Sequence, residues 1–439
     1  MRFNYAFWVL WVLGATSGAD AQEAFLLLEK SPLGNEYRVV AETTISGVLF
    51  APVAKDKPAE RIIIAGKSTI EYAERTLAVD PKEADHKILR FYDRIEFKKT
   101  TGDRTDESTL RSPVRRLVLM KKGHSKIPFS PDGPLMWSEI DLIRTDFVVP
   151  ALAGLLPDKE VKVGEKWIAN RAAITELTDI EKIDGGELTC TLEKVDAIGP
   201  RKVAHVSFTG TLKGVNEDGP TRQNITGRVL VDVDVQAITF LRIDGEHVML
   251  DADGKEAGKI KGTFEMSRAR IDGHKAISDA AIKGLDLAPS EENTRLLYDS
   301  EETGVRFIHS RNWRVVRSTG RQITLDETGG AGLLITLDTA SAIPATGKYV
   351  REAIKELQDR GARLTNRLGP ERLADGVDRF TLEAEHGKEQ LTMDYMIIKQ
   401  EKGGATFAGR LPIVHREARM KELERLARSF VVMRRLDGK

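Results

Sequence analysis

Eight histidines stand at positions 86, 124, 205, 247, 274, 309, 386 and 415, and no two have the His-x-x-x-His spacing that sets two imidazoles on one helical face for a metal. His205 lies in an apparent strand, where a lone imidazole is better explained by structural hydrogen bonding than by ligation. Asp251-Ala252-Asp253-Gly254 has two acidic positions of a calcium loop. It lacks the third spaced ligand and the closing glutamate, so it reads as a hairpin turn. No Gly-x-Ser-x-Gly elbow and no phosphate-cradling glycine loop occurs, and Ser46, Ser125 and Ser341 sit in no motif. The adjacent carboxylates Glu291-Glu292 and Glu301-Glu302 are what a chain with 31% charged residues supplies along any solvated face.

One cysteine is present, Cys190. Leu188, Cys190 and Leu192 alternate along a strand, which points the thiol to a core as a small hydrophobe; a catalytic thiol is the competing assignment. A single cysteine also provides no disulfide framework, so the fold must rest on buried apolar surface. Asn224-Ile225-Thr226 fits a glycosylation sequon, which carries little meaning in a chain of bacterial character. The expectation is therefore no catalytic, cofactor-binding or metal-ligating residue, no cofactor, and no enzyme activity.

The elements that would position any site begin with a targeting segment. Arg2 precedes a nine-residue apolar run at 5–13, and Ala19-Asp20-Ala21 offers small residues for cleavage, so residues 1–21 read as a signal peptide and Gln22 as the mature start. Nine apolar residues fall short of the ~20 that cross a bilayer, and no later segment is apolar enough. The product is expected in the periplasm or outside the cell. Lys+Arg and Asp+Glu both number 67 and aromatics are 6%, which removes both the electrostatic attraction and the stacking platforms of nucleic-acid binders.

From Glu36 the pattern has period two, with Tyr37, Val39, Ala41, Thr43 and Ile45 on one face. Residues 61–76 and 88–98 read as further strands, and 100–112 as a charged mobile loop. A rigid turn at Ser130-Pro131-Asp132-Gly133-Pro134 leads to an amphipathic helix over 136–143, and Pro150 precedes a short helical piece at 151–156. The stretch 156–167, Leu-Pro-Asp-Lys-Glu-Val-Lys-Val-Gly-Glu-Lys-Trp, reads as a hinge between two halves of one β-domain, with Trp167 largely buried and only strands and turns beyond it. Val229, Val231, Val233 and Val235 share a strand face opposite Arg228, Asp232 and Asp234. Residues 245–250 and 259–267 flank the hairpin at 251–255.

The stretch 156–167, with the turn at 130–135, resembles a recurring stretch of uncharacterised secreted bacterial β-rich proteins; the resemblance spans 25–271 and implies no activity. Alternating apolar and charged faces imply an antiparallel sheet or half-barrel around a helix, and a concave apolar surface as the ligand site.

Residues 272–292 are polar and punctuated by Gly273, Ser278, Gly284, Pro289 and Ser290, and read as a linker with one helical turn. Beyond it, short strands at 304–308, 312–316 and 322–325 precede a helix over 347–360 capped by Thr346. Strands at 380–383, 391–399 and 405–409 then lead to a last helix over 415–428. Gly304-Val305-Arg306-Phe307, Asn312-Trp313-Arg314-Val315 and the helix entering Arg428-Ser429-Phe430 resemble the PsbP-like fold over 298–433. That resemblance implies an α/β sandwich that binds partner proteins or sits in envelope assemblies, with no site motif to carry over. Residues 410–439 hold nine Lys/Arg against four Asp/Glu, which a solvated helix face or an acidic partner surface would explain.

The expected architecture is α+β: a signal peptide (1–21), an antiparallel β-rich domain (22–271), a linker (272–292) and a PsbP-like α/β sandwich (293–439). The expected function is an exported, non-enzymatic binding or envelope-assembly protein whose β-domain cradles an apolar ligand or peptide. The alternatives are a hydrolase with a non-sequential site and a purely structural envelope protein. An envelope protein or apolar ligand is the expected partner.

Overall fold

The computed structural model describes residues 23–51, 59–80, 85–122, 125–373, 376–387 and 389–436. Residues 1–21, read above as a signal peptide, and His124 lie outside them.

The first part of the chain comprises β1 (Ala24–Leu26), β2 (Glu36–Ala51), β3 (Glu60–Asp80), β4 (Asp85–Thr101), β5 (Arg104–Thr109), β6 (Arg116–Lys122), β7 (Ser125–Phe129), α1 (Trp137–Arg144), β8 (Glu160–Lys162), β9 (Lys166–Ile168), α2 (Arg171–Thr178), β10 (Lys182–Ile198), β11 (Arg201–Asn216), β12 (Gly219–Asp232), β13 (Ala237–Leu250) and β14 (Glu256–Ile271). Strands β2 to β7 and β9 to β14 form one 12-stranded sheet, ordered β7-β6-β4-β3-β2-β14-β13-β12-β11-β10-β9, with β5 on β4. Every strand pair in it is antiparallel and its two ends do not meet, so the sheet is open. Period-two burial along β2, with Tyr37, Val39 and Ala41 buried, follows the alternation in the sequence. Asp251 and Lys255 close the β13–β14 hairpin, as the spacing implied.

Helices α1 and α2, the 3-10 turn Val149–Leu155 and β1 pack against the inner face. Phe25, Ile140, Ile143, Leu152 and Ile174 share one core with Val39, Ile70, Val206 and Leu241. The concave surface expected from the sequence is therefore filled along most of its length.

Several local expectations change. Residues 104–109 are not a mobile loop but the strand β5, held to β4 in register Glu96↔Thr109 to Thr101↔Arg104. Cross-strand pairs such as Lys98–Glu107, at 2.8 Å, and the Thr100–Thr105 hydroxyls let a segment of charged and hydroxyl residues pair without an apolar face. The stretch 156–167 is not a central hinge. Strand β8 pairs β1 in a separate two-stranded sheet and β9 is an edge of the large one, while the two halves of the sheet join at β2 and β14. Trp167 is half-buried at that edge, donating from Nε1 to the Leu155 carbonyl at 2.9 Å. A helix, α2, follows it, started by Asn170, whose side chain accepts from the Ala173 amide. Val229 and Val231 are buried. Val233 and Val235 instead enter a turn in which Gln236 has φ 57°, and Asp232 turns inward to accept from the Asp234 and Val235 amides.

The segment after β14 is packed, not free. A 3-10 turn at Lys275–Ile277 and α3 (Asp279–Ile282) lie on the opposite face of the sheet, where Ile277 joins Ala73, Leu89, Val118 and Phe129. Arg75 and Arg116 donate to the carbonyls of Ile277 and Ala281 at 3.0 and 2.8 Å and clamp the segment down.

The remainder contains β15 (Leu296–Ser300), β16 (Val305–His309), β17 (Trp313–Thr319), β18 (Gln322–Glu327), β19 (Gly332–Asp338), α4 (Thr346–Asp359), β20 (Arg363–Arg372), β21 (Asp378–His386), β22 (Glu389–Gln400), β23 (Gly403–Leu411), α5 (Arg416–Ser429) and β24 (Val431–Val432). A seven-stranded sheet, β17-β18-β19-β23-β22-β21-β20, adjoins a three-stranded one, β15-β16-β24. Helix α4 packs Val350 and Leu357 on Phe380 and Tyr395, and α5 packs Leu423 and Leu426 on Met396 and Phe407. Tyr395 and Met396 are successive residues of one strand, so the two helices cover opposite faces. Ala345, not Thr346, stands at the N-cap position of α4 and no side chain caps it; the Thr346 hydroxyl donates to Asp378. The whole chain is α+β.

Candidate functional site

The inner face of the large sheet holds two kinds of surface. Deep under the helices runs a chain of buried charges. Glu29 meets Arg268 at 2.9 Å, Arg268 meets Glu74 at 3.6 Å, Glu74 meets Arg90 at 2.9 Å and Arg90 meets Asp146 at 2.7 Å, and all five side chains have zero exposure. Arg90 also donates to the Phe147 carbonyl at 2.7 Å. The guanidinium carbons of Arg268 and Arg90 stand 3.5 and 4.2 Å from the ring centres of Tyr37 and Tyr72. Burial pushes the Asp146 carboxyl up, against the pull of Arg90 and Lys126. Paired carboxylates of this kind could serve acid–base chemistry only where a substrate reaches them, and these are sealed. They tie the segment after β1 and the chain leaving α1 to β14, β3 and β4. Nearby, Glu176 of α2 bonds Lys121 and Lys126 and the Val148 amide. Burial alone would raise its carboxyl, but the two ammonium groups hold it down to about 2.

The second surface lies past the helices, towards the β2–β3 and β13–β14 ends. Register puts Ile45 and Leu49 of β2, Ile62 of β3, Ile260 of β14 and Met249 of β13 on the same side as the core residues Val39 and Ala41. These five are half-buried and stand outside the core cluster. Gly66 lets Ile45 and Phe97 lie flat across the sheet there, since a Cβ on it would come within 2.9 and 3.1 Å of them. Phe97 continues into a 200 Å3 cavity between β4–β5 and α1, walled by Phe97 and Leu142 and rimmed by Lys99, Asp106, Asp141 and Thr145. Burial raises the Asp141 carboxyl there, against Arg144 and Arg314. An apolar wall with a few convergent polar groups is the composition of a small-ligand site, although 200 Å3 is below the usual ~300 Å3.

The sequence singled out none of these charged residues, because buried arginines and glutamates read as surface charge until the register is known. Two signals were available: Arg90 follows Ile88 and Leu89, and Arg268 follows Met266, inside strands otherwise apolar on one side. Cys190 is buried as expected, and burial pushes its thiol up to about 12. His205 pairs with Asp196 at 3.0 Å on the sheet surface. Burial lowers His247, and burial lowers His309 to about 4. No group of three metal-ligating side chains occurs among the described residues, and no described helix is long and apolar enough to cross a membrane. The basic C-terminal helix is largely paired within the fold, through Arg416–Glu383, Arg419–Glu327 and Arg425–Glu291.

No family model matches the chain, and no curated protein matches it. Among solved structures it is similar to a cyanobacterial PsbP from Synechocystis sp. PCC 6803, at 17% identity over 31% of this chain and 92% of that one, with a TM-score of 0.25. It is similar to lipovitellin at 11% identity, covering 66% of this chain but only 29% of lipovitellin, with a TM-score of 0.34. A third similar structure is the Pseudomonas aeruginosa MucA/MucB complex, at 10% identity over 90% and 93% of the chains and a TM-score of 0.15. At these scores the likenesses carry no argument about the site.

Proposed function

We propose that the chain is an exported, non-enzymatic binding protein of the cell envelope, and that the end of its curved sheet that no described helix covers holds an apolar ligand segment. The observation that carries this reading is the strip Ile45, Leu49, Ile62, Met249 and Ile260, continuous through Phe97 with the cavity beside α1. Apolar surface on the inner side of a sheet, outside its packed core, is surface that a ligand can withdraw from water. Binding without catalysis is supported by where the reactive groups lie: the paired carboxylates and Cys190 are sealed beneath the helices and the sheet. A long-chain fatty acid carrying a fluorophore is the test probe. Saturable binding that Ile62→Asp and Ile260→Asp each weaken about tenfold, with urea midpoints little changed, is the expected result. Equal binding by wild type and both variants would refute it. Native mass spectrometry of protein purified from its own envelope then identifies the natural occupant.

A further inference from the structure

Three arginines gather at one end of the seven-stranded sheet, in a cavity of 280 Å3. Arg321 sits in the turn between β17 and β18, and Arg434 and Arg435 follow β24; Glu302 and Asp338 also line the space. The backbone that carries them is fixed. The Leu337 amide donates to the Arg321 carbonyl at 2.8 Å, and the Leu436 amide to the Lys402 carbonyl at 2.9 Å. Arg434 donates from Nη2 to the Glu302 carbonyl at 2.9 Å, and its stem lies so close over Gly304 that a Cβ there would stand 2.7 Å from Arg434 Cγ. Elsewhere on this part of the chain Arg306, Arg419 and Arg425 each meet a carboxylate. Arg321, Arg434 and Arg435 meet none among the described residues, and Glu302 and Asp338 are likewise without an ion-pair partner there. Three cations less two anions leave the lining with one excess positive charge.

We infer that this cavity binds a small oxyanion, of the phosphate or carboxylate type, through the guanidinium forks of Arg321 and Arg435 beside the held Arg434. Guanidinium groups offer parallel N–H donors at the spacing of two oxyanion oxygens, and they stay charged at any physiological pH. Leu337 and Leu436 add a small apolar patch to a lining that is otherwise polar, as suits a small oxyanion. Glu302 and Asp338 oppose a second negative charge and favour ligands of low total charge. The inference is independent of the apolar site on the large sheet, since no residue is shared.

Calorimetric titration of the full chain with inorganic phosphate and, separately, with acetate, both at low ionic strength, tests it. One saturable site is expected, weakened about tenfold or more in Arg321→Gln/Arg435→Gln and tightened in Asp338→Asn. Arg317→Gln, a nearby surface change outside the cavity, should leave it unaltered. Circular dichroism confirms that each variant is folded. Co-sedimentation with phosphatidylglycerol vesicles distinguishes a lipid headgroup from a free solute: pelleting that the double variant abolishes assigns the headgroup, and phosphate binding without pelleting assigns the solute. Absence of saturation with both anions, or an equal loss in Arg317→Gln, would overturn the inference.

Discussion

Arg90 touches two carboxylates, a carbonyl and a tyrosine ring, and has no contact with water. Replacing it by Leu would leave Asp146 without its ion pair in the interior and Glu74 with Arg268 alone, at 3.6 Å. Removing one partner of a buried pair costs ~3–5 kcal/mol, far more than the pair itself contributes against an apolar substitute. Urea unfolding of Arg90→Leu should show a loss of that size; a loss near ~0.5 kcal/mol, as for surface changes, would mean that water reaches the carboxylates. Acid should act through two other residues. His309 is held neutral, its value lowered from 6.5 to about 4, so the folded state binds fewer protons than the unfolded one and stability falls as pH drops from 6.5 towards 4. Glu176, lowered from 4.5 to about 2, contributes stability present above 4.5 and lost as pH falls to about 2. In urea melts across this range, His309→Gln should flatten the upper part of the decline and Glu176→Gln the lower part. An unchanged slope in either variant removes that residue from the account. Beyond the apolar neighbours of Arg90 and Arg268, little of this was legible in the sequence, where arginine and glutamate carry the same letter on the surface and in the core.

At the scale of elements, strands of clean alternation could be read directly, as in β2 and in the β13–β14 hairpin. Helix α1 could be read from its apolar spacing. What escaped were elements fixed by partners distant in sequence. Strand β5 is polar throughout and exists because β4 offers a complementary edge; α2 is an eight-residue helix begun by Asn170 amid strand-like neighbours. Trp167 shows the same limit, since a large aromatic at the end of a turn is buried only as far as its strand lies inside the sheet, and β9 is an edge. It packs in part on the core, and its indole adds a bond to the Leu155 carbonyl, which a phenyl ring cannot make. Trp167→Phe should therefore cost about 1 kcal/mol in urea melts, the worth of one hydrogen bond. A cost of ~3 kcal/mol or more would restore the buried core residue that the sequence implied.

At the scale of the molecule, the change of character near residue 290 marks where one sheet gives way to another, yet the two are not merely tethered. Leu296, on the first strand past that point, has zero exposure and belongs to the core of the large sheet, and its neighbour's amide donates to the Leu135 carbonyl at 2.8 Å. Arg311 donates to the Thr294 and Pro128 carbonyls. We expect residues 293–439 to fold alone and give a dispersed amide spectrum, because the cores under α4 and α5 draw on that segment alone. Leu296→Ala in the full chain should nevertheless lower the stability of the large sheet by ~2–5 kcal/mol, seen as an earlier unfolding transition of that sheet alone. A poorly dispersed fragment, or a variant with an unshifted transition, would make one cooperative unit or two uncoupled ones of the chain.

The join between β2 and β14 pairs Glu36 with Ile271 and Leu49 with Gly258. A ribosome or translocon delivers β2 long before β14 exists, so the future centre of the sheet waits as a bare edge while the rest emerges. Strand pairing across such a span is slow, because a long loop must close before any contact rewards it. Through that wait β2 offers unpaired amides and carbonyls to any passing strand, its own nascent copies included. The order of the chain thus gives a late step to folding and a window for misassembly.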